Sequence, residues 1–174
     1  FKTIKLLEKD NLLMWFCKNP CITHDKLKGY PLGPKWQWKT TRFYGEDKTK
    51  HLEIFNNYCL KPLENFKNRD KKLFYLNFSQ TTGKPLYNFH RNIRRTCLEK
   101  LKKHFAYNDS SDFETYMKNL NNYKFVASPP GRGIDTHRTW ESLMCGCIPI
   151  VMSGPHDYLF ENLPVIIIND WDII

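Results

Sequence analysis

Two charged residues near the mouth of one expected helix carry the clearest chemical signal in this chain. Arg138 and Glu141 are three positions apart, so on a helix they share a face. A guanidinium there can neutralise a diphosphate, with a fork geometry that suits phosphate oxygens better than lysine does. A carboxylate can accept both hydroxyls of a ribose on its two oxygens. The alternative for the pair is an intrahelical ion pair worth about a few tenths of a kcal/mol. Just upstream, Gly131-Arg132-Gly133 would set Arg132 over any phosphate at the helix mouth. Its two glycines permit close backbone approach and positive φ. Asp135 suits the helix N-cap, where its carboxylate would accept backbone N–H groups, with direct ligand contact as the alternative. His137 fits a base, a phosphate donor or a capping residue.

A second basic group comprises Lys84, His90, Arg91, Arg94 and Arg95, with Arg91, Arg94 and Arg95 on the first turns of another expected helix. Ser79, Thr81 and Thr82 could add hydroxyl contacts. In a doubly wound sheet both helix mouths open on the edge formed by the carboxyl ends of the strands. Two basic mouths facing one crevice suit a nucleoside diphosphate. A solvated basic face, or one meeting an acidic partner, is the competing reading.

The elements that would hold these groups follow from the hydrophobic pattern. Residues 73–78, 124–127, 148–151 and 164–168 read as strands, the last three short and apolar on both faces, as in a parallel sheet covered on both sides. Between them, residues 88–105 carry apolar side chains every four positions (Phe89, Ile93, Cys97, Leu101, Phe105), a helical stripe. Ser111 or Asp112 can cap a short helix to residue 120. A helix is expected from Asp135 to Gly146, and a helical turn near 157–162. Upstream, residues 12–16 (LLMWF) read as a buried strand. Residues 24–38, rich in Pro and Gly, read as a fixed chain path without an element, and Trp36 and Trp38 make full exposure improbable. Residues 50–59 suggest an amphipathic helix with Leu52, Phe55, Tyr58 and Cys59 on one face, and 67–70 a turn. The expected organisation is residues 1–70 as the end of a preceding domain plus linker. Residues 71–174 then form a Rossmann-like α/β domain, a parallel sheet with helices on both faces, truncated at its C-terminal end.

The chain has 174 residues, a 41% hydrophobic fraction and a formal net charge of +9, which fits a folded domain attracted to phosphates, acidic glycans or other polyanions. No stretch approaches the roughly 20 apolar residues of a membrane span. Phe1 is not an initiator methionine and the chain stops soon after a strand, so it reads as a fragment. Six cysteines in a chain of this length do not make a disulfide scaffold, and their spacing does not suggest zinc. Buried small hydrophobes are the expected role for most.

The pattern Ser128-Pro129-Pro130-Gly131, then Asp135-x-x-Arg138-x-x-Glu141-Ser142-Leu143, then Gly146-Cys147-Ile148-Pro149-Ile150-Val151 resembles the C-terminal half of exostosin-like glycosyltransferases. Asp157-Tyr158-Leu159-Phe160 resembles the aromatic segment lining that family's donor pocket. The match spans residues 123–168. The resemblance implies a two-Rossmann-domain (GT-B) transferase seen through its C-terminal, nucleotide-sugar-binding half, acting without cofactor or essential metal. It implies a UDP-sugar first among donors and a glycan or glycoconjugate acceptor, with no nucleic acid partner. Arg138 would contact the diphosphate and Glu141 the ribose, with Arg132, Gly131, Gly133, Asp135, Arg91, Arg94 and Ser128 completing the donor site. The general base would come from the N-terminal side, where His24 and Asp25 are candidates beside His137. A typical eukaryotic relative would work in the Golgi or ER lumen, other relatives in the cytoplasm. The α1,3-fucosyltransferases share the architecture, although they place Thr-Glu-Lys where this chain has Thr139-Trp140-Glu141. Outside the transferases, a non-catalytic basic module binding a polyanionic glycan or nucleic acid is the rival.

Overall fold

The computed structural model describes residues 2–35, 49–59, 62–67, 73–80, 88–108 and 112–174. Trp36, Trp38, Thr81, Thr82 and Lys84 lie outside these residues, as do the side chains of Phe89, His90 and Arg91. The chain folds as a Rossmann-like α/β protein. Four strands, β3 (Phe74–Tyr75), β4 (Phe125–Ala127), β5 (Ile148–Met152) and β6 (Ile166–Ile168), pair in parallel in chain order. A smaller parallel pair, β1 (Trp15–Cys17) and β2 (Leu27–Gly29), lies upstream. The helices are α1 (Lys2–Leu7), α2 (Thr49–Cys59), α3 (Pro62–Lys67), α4 (Asn88–Leu101), α5 (Phe113–Leu120) and α6 (His137–Met144), with 3-10 turns at Asp157–Phe160 and Trp171–Ile173.

Alternation along the strands separates two cores. Phe74, Leu76, Phe78, Ala127, Ile150 and Ile168 face α4, where Cys97, Leu98 and Leu101 meet them and Trp171 closes the end. Tyr75 and Val126 face the other way, into Ile54 and Phe55 of α2, Tyr116, Met117 and Leu120 of α5, and Cys145 and Cys147 beyond α6. Covering both faces is what permits short, wholly apolar strands to pair in parallel.

Several expectations are corrected. Residues 12–16 are not a buried strand: β1 starts at Trp15, Leu13 is 87% and Phe16 64% exposed. A two-stranded ribbon has no second layer to bury its outer face. The turn-rich segment contains β2, paired to β1. In α2 the buried residues are His51, Ile54 and Phe55, while Leu52 faces solvent, so the apolar stripe is rotated from the expected one. Lys67 ends α3 rather than starting a turn, and 68–70 lie outside the described residues. In β6, Ile166 and Ile167 stay substantially exposed and Ile168 alone is buried, because β6 ends the described sheet. No helix among the described residues is long and apolar enough to cross a membrane.

Helix ends follow local chemistry. Gly146 takes φ +75°, and its N–H bonds Leu143 O at 2.9 Å while Cys147 N–H bonds Ser142 O at 2.8 Å. That pair of bonds is a Schellman closure of α6, which the absence of a Cβ makes cheap. Asp112 caps α5, accepting the Thr115 N–H at 2.9 Å and the Thr115 hydroxyl at 2.6 Å. These Thr115 bonds hold the Asp112 carboxyl below its ordinary pKa. A depressed folded pKa gives stability that is present above the unfolded value, about 3.9, and lost as pH falls through the folded one. Asp112→Ala should therefore cost about 1 kcal/mol at pH 7 and progressively less in acid. Urea unfolding at pH 7 and below pH 3 checks this, and an equal penalty at both would contradict the cap.

Candidate functional site

The carboxyl ends of β3 and β4 bring the first turn of α6 and the middle of α4 together. Ser128 N–H bonds Ile150 O at 2.9 Å, carrying the β4–β5 pairing one step beyond the strand. The buried Ser128 hydroxyl meets Thr139 Oγ1 at 2.8 Å and Thr136 Oγ1 at 3.1 Å. This hydroxyl cluster bolts the end of β4 to the start of α6. Strand order follows chain order, so the described strands offer no reversal of the kind that opens a crevice in doubly wound sheets. The loops after β3 and β4 define the edge instead.

The helix starts two residues later than expected. Thr136, at φ −131° and ψ 149°, is the N-cap, and its side chain makes no capping bond because the hydroxyl belongs to the cluster with Ser128 and Thr139. Asp135 is not the cap. It is buried, and its carboxylate accepts Leu32 N–H at 2.7 Å and the Trp140 indole N–H at 2.8 and 3.0 Å. Burial raises its pKa against the opposing pull of those donors.

Neither loop glycine uses positive φ: among the described residues the glycines that do are Gly33 and Gly146. Close approach explains both instead. A Cβ on Gly131 would lie 3.1 Å from Arg94 Nη2, and one on Gly133 would lie 2.3 Å from Asn19 Cγ. Asn19, itself at φ 55°, uses its Oδ1 to accept Asp135 N–H at 2.5 Å. The loop glycines thus make room for an arginine from α4 and an asparagine from the segment after β1.

Arg94 is the hub of this edge. Its Nε donates to Pro130 O at 2.6 Å and its Nη1 to Ser79 O at 2.7 Å, and the guanidinium lies over Phe78 at 5.7 Å from the ring centre. Burial, then the charge of Arg138, lower its pKa to about 10. Arg138 lies over the Tyr116 ring at 5.0 Å, and its Nη1 is buried without a hydrogen-bond partner. Among the described residues the ion pairs are Arg95–Glu99 and Lys100 with Asp170 and Asp172, so Arg138 and Glu141 do not pair. Glu141 is 4% exposed.

A strap from the N-terminal part lies across α6. Besides Leu32 on Asp135, Lys35 N–H donates to Glu141 Oε1 at 3.2 Å, and His137 Nδ1 donates to Gly33 O at 2.8 Å. Tyr158 fastens the same region, accepting Gly29 N–H and donating to Gly29 O at 3.4 Å. Arg132 is exposed in the loop. Arg91 is on the first turn of α4. His24 and Asp25 sit in the turn entering β2, where His24 Nδ1 accepts Lys26 N–H at 3.1 Å. That bond is local, and no described hydrogen bond ties either residue to the α6 mouth.

Compared with models of known protein families and with curated protein sequences, the chain matches none. The site therefore stands on its own geometry. Arg94, Arg138, Glu141 and the Gly131–Asp135 loop, all expected at one site, lie near one sheet edge. Asn19, Tyr116 and the strap join them without any signal in the sequence pattern. Asn19 was visible only as the residue before Pro20, and nothing local shows that a residue 116 positions away would need its side chain.

The contact between Asn19 and Gly133 makes the two sites interdependent. Asn19→Gly keeps the backbone conformation and removes the acceptor for Asp135 N–H, costing about 1 kcal/mol. Gly133→Ala drives a Cβ into the bonded amide. Because Asn19→Gly also empties that space, the double variant should be more stable than the sum of the single losses predicts, by at least about 0.5 kcal/mol. A denaturation double-mutant cycle measures this, and strict additivity would refute the contact.

Proposed function

We propose that this chain is the donor-binding half of an exostosin-like, GT-B type glycosyltransferase, which transfers a sugar from a nucleotide-sugar, a UDP-sugar first, to a hydroxyl of a glycan or glycoconjugate. One observation carries the reading: Arg94 packs against the Gly131 loop within reach of the Arg138 charge, and a buried Arg138 N–H has no protein acceptor. Two partly buried like charges repel, and a dianionic ligand between or beside them would relieve that repulsion and satisfy the open donor. In the reaction an acceptor oxygen bonds to the anomeric carbon as the bond to the diphosphate oxygen breaks. The leaving diphosphate keeps the electron pair, and fixed guanidiniums stabilise the charge where it develops.

Glu141 suits the ribose because each carboxylate oxygen has two acceptor sites, so the Lys35 bond leaves capacity on both. Its burial means that residues 31–35 must shift for a sugar to reach it. His137 Nδ1 is committed as a donor to Gly33 O, so the acceptor's base is expected from elsewhere, on the N-terminal side or in a further domain.

The test is thermal shift and calorimetry with UDP, GDP and CMP and their sugars. A nucleoside diphosphate at about 100 times its Kd should raise Tm by roughly 5–10 °C. Arg138→Lys should weaken binding at least about tenfold, and Glu141→Ala should erase the nucleoside preference. No shift with any nucleotide, together with heparin binding that collapses with salt, would replace this reading with that of a polyanion-binding module.

A further inference from the structure

The sulfurs of Cys59 and Cys145 lie 3.6 Å apart, although the two residues are far apart in the chain. Cys59 is the last residue of α2 and is half-buried; Cys145 caps the C-terminal end of α6 and is buried. Both belong to the same apolar layer, with Ile54, Tyr116 and Met144 around them. A disulfide needs the sulfurs at about 2.05 Å, so closing the pair takes about 1.5 Å of approach. The remaining cysteines are placed differently. Cys147 donates its thiol to Leu120 O at 3.2 Å, Cys21 donates to Asn19 O at 3.5 Å, and Cys97 is buried beside Leu98 and Leu101.

We propose that Cys59 and Cys145 are a redox-active pair that forms a disulfide, pinning α2 to the C-terminal end of the helix that bears Arg138 and Glu141. The inference rests on the thiol geometry and not on the nucleotide reading. Access sets the order of steps: Cys59 can meet a solvent disulfide and Cys145 cannot. The hydrogen bond from Cys145 lowers the Cys59 pKa against the opposing effects of burial and the Glu141 charge. That favours Cys59 as the attacking thiolate.

The co-reactant is a low-molecular-weight disulfide such as oxidised glutathione. The Cys59 thiolate attacks one of its sulfurs, forming a mixed disulfide and releasing one thiolate, which takes up the proton lost by Cys59. Cys145 then gives up its proton and attacks the Cys59 sulfur, expelling the second small thiol. Two protein thiols are oxidised, one small disulfide is reduced to two thiols, and protons balance. The link encloses residues 60–144, hence β3, β4 and the helices between them. A loop this long confers a large constraint on the unfolded chain.

The experiment equilibrates the chain in oxidised-glutathione buffer, blocks free thiols with N-ethylmaleimide and maps the peptides by mass spectrometry. A Cys59–Cys145 peptide, with the other four cysteines alkylated, is expected, together with a rise in Tm on the order of 10 °C that reductant reverses. Cys59→Ser, at a half-buried position, should abolish both effects, while Cys21→Ser should leave both intact. If Cys59 and Cys145 remain alkylated after oxidation, or if oxidation links Cys17 to Cys21 and spares Cys59, the proposal fails. If the crosslinked chain melts no higher than the reduced one, the proposed pinning is refuted.

Discussion

A guanidinium drawn largely out of water has to replace it with fixed acceptors, and at the sheet edge Arg94 does so with two backbone carbonyls. One belongs to the loop after β3, Ser79 O, and the other to the loop after β4, Pro130 O. A side chain from α4 thereby stitches two loops that the sheet alone would leave separate. The stitch favours a glycine at residue 131, since a Cβ there would stand only 3.1 Å from the guanidinium Nη2. It also explains why Arg138 faces a crowded electrostatic neighbourhood: the carbonyls satisfy hydrogen bonds without cancelling a full charge. The surplus positive charge is thus a property of the fold and not of a mobile surface lysine.

The hydroxyl cluster of Ser128, Thr136 and Thr139 complements that stitch. Arg94 positions the loop from the α4 side, and the cluster fixes α6 against the end of β4. With Gly146 closing the far end of the helix, α6 is held at both termini, and its charged face cannot rotate without breaking one of these attachments.

What was legible in the sequence tracks how local the cause is. The strand–helix–strand unit from residue 125 to 152 was legible because short apolar runs, a helical period and a C-terminal glycine act within a few residues of one another. The Asp112 cap was legible for the same reason. Asp135 has the composition of a cap, yet its carboxylate goes to Leu32 N–H and Trp140. The choice between cap and buried acceptor depended on a segment over 100 residues away. The exposure of Phe16, the rotated face of α2 and the edge position of β6 likewise depend on which layers lie above each element, and periodicity within one element does not encode that. At the site, the charges were legible. The burial of Glu141, and the missing Arg138–Glu141 pair, were not.

The strap over α6 touches the site with its main chain: the amides of residues 32 and 35 and the carbonyl of Gly33. Its partners, Asp135, Glu141 and His137, use side chains. The two sides of this contact therefore bear substitution unequally. Side chains at 32 and 35 can be exchanged widely with the bonds kept, proline excepted because it carries no amide hydrogen. A change at 135, 137 or 141 breaks a bond outright. Homologues could retain the strap while its sequence drifts beyond recognition.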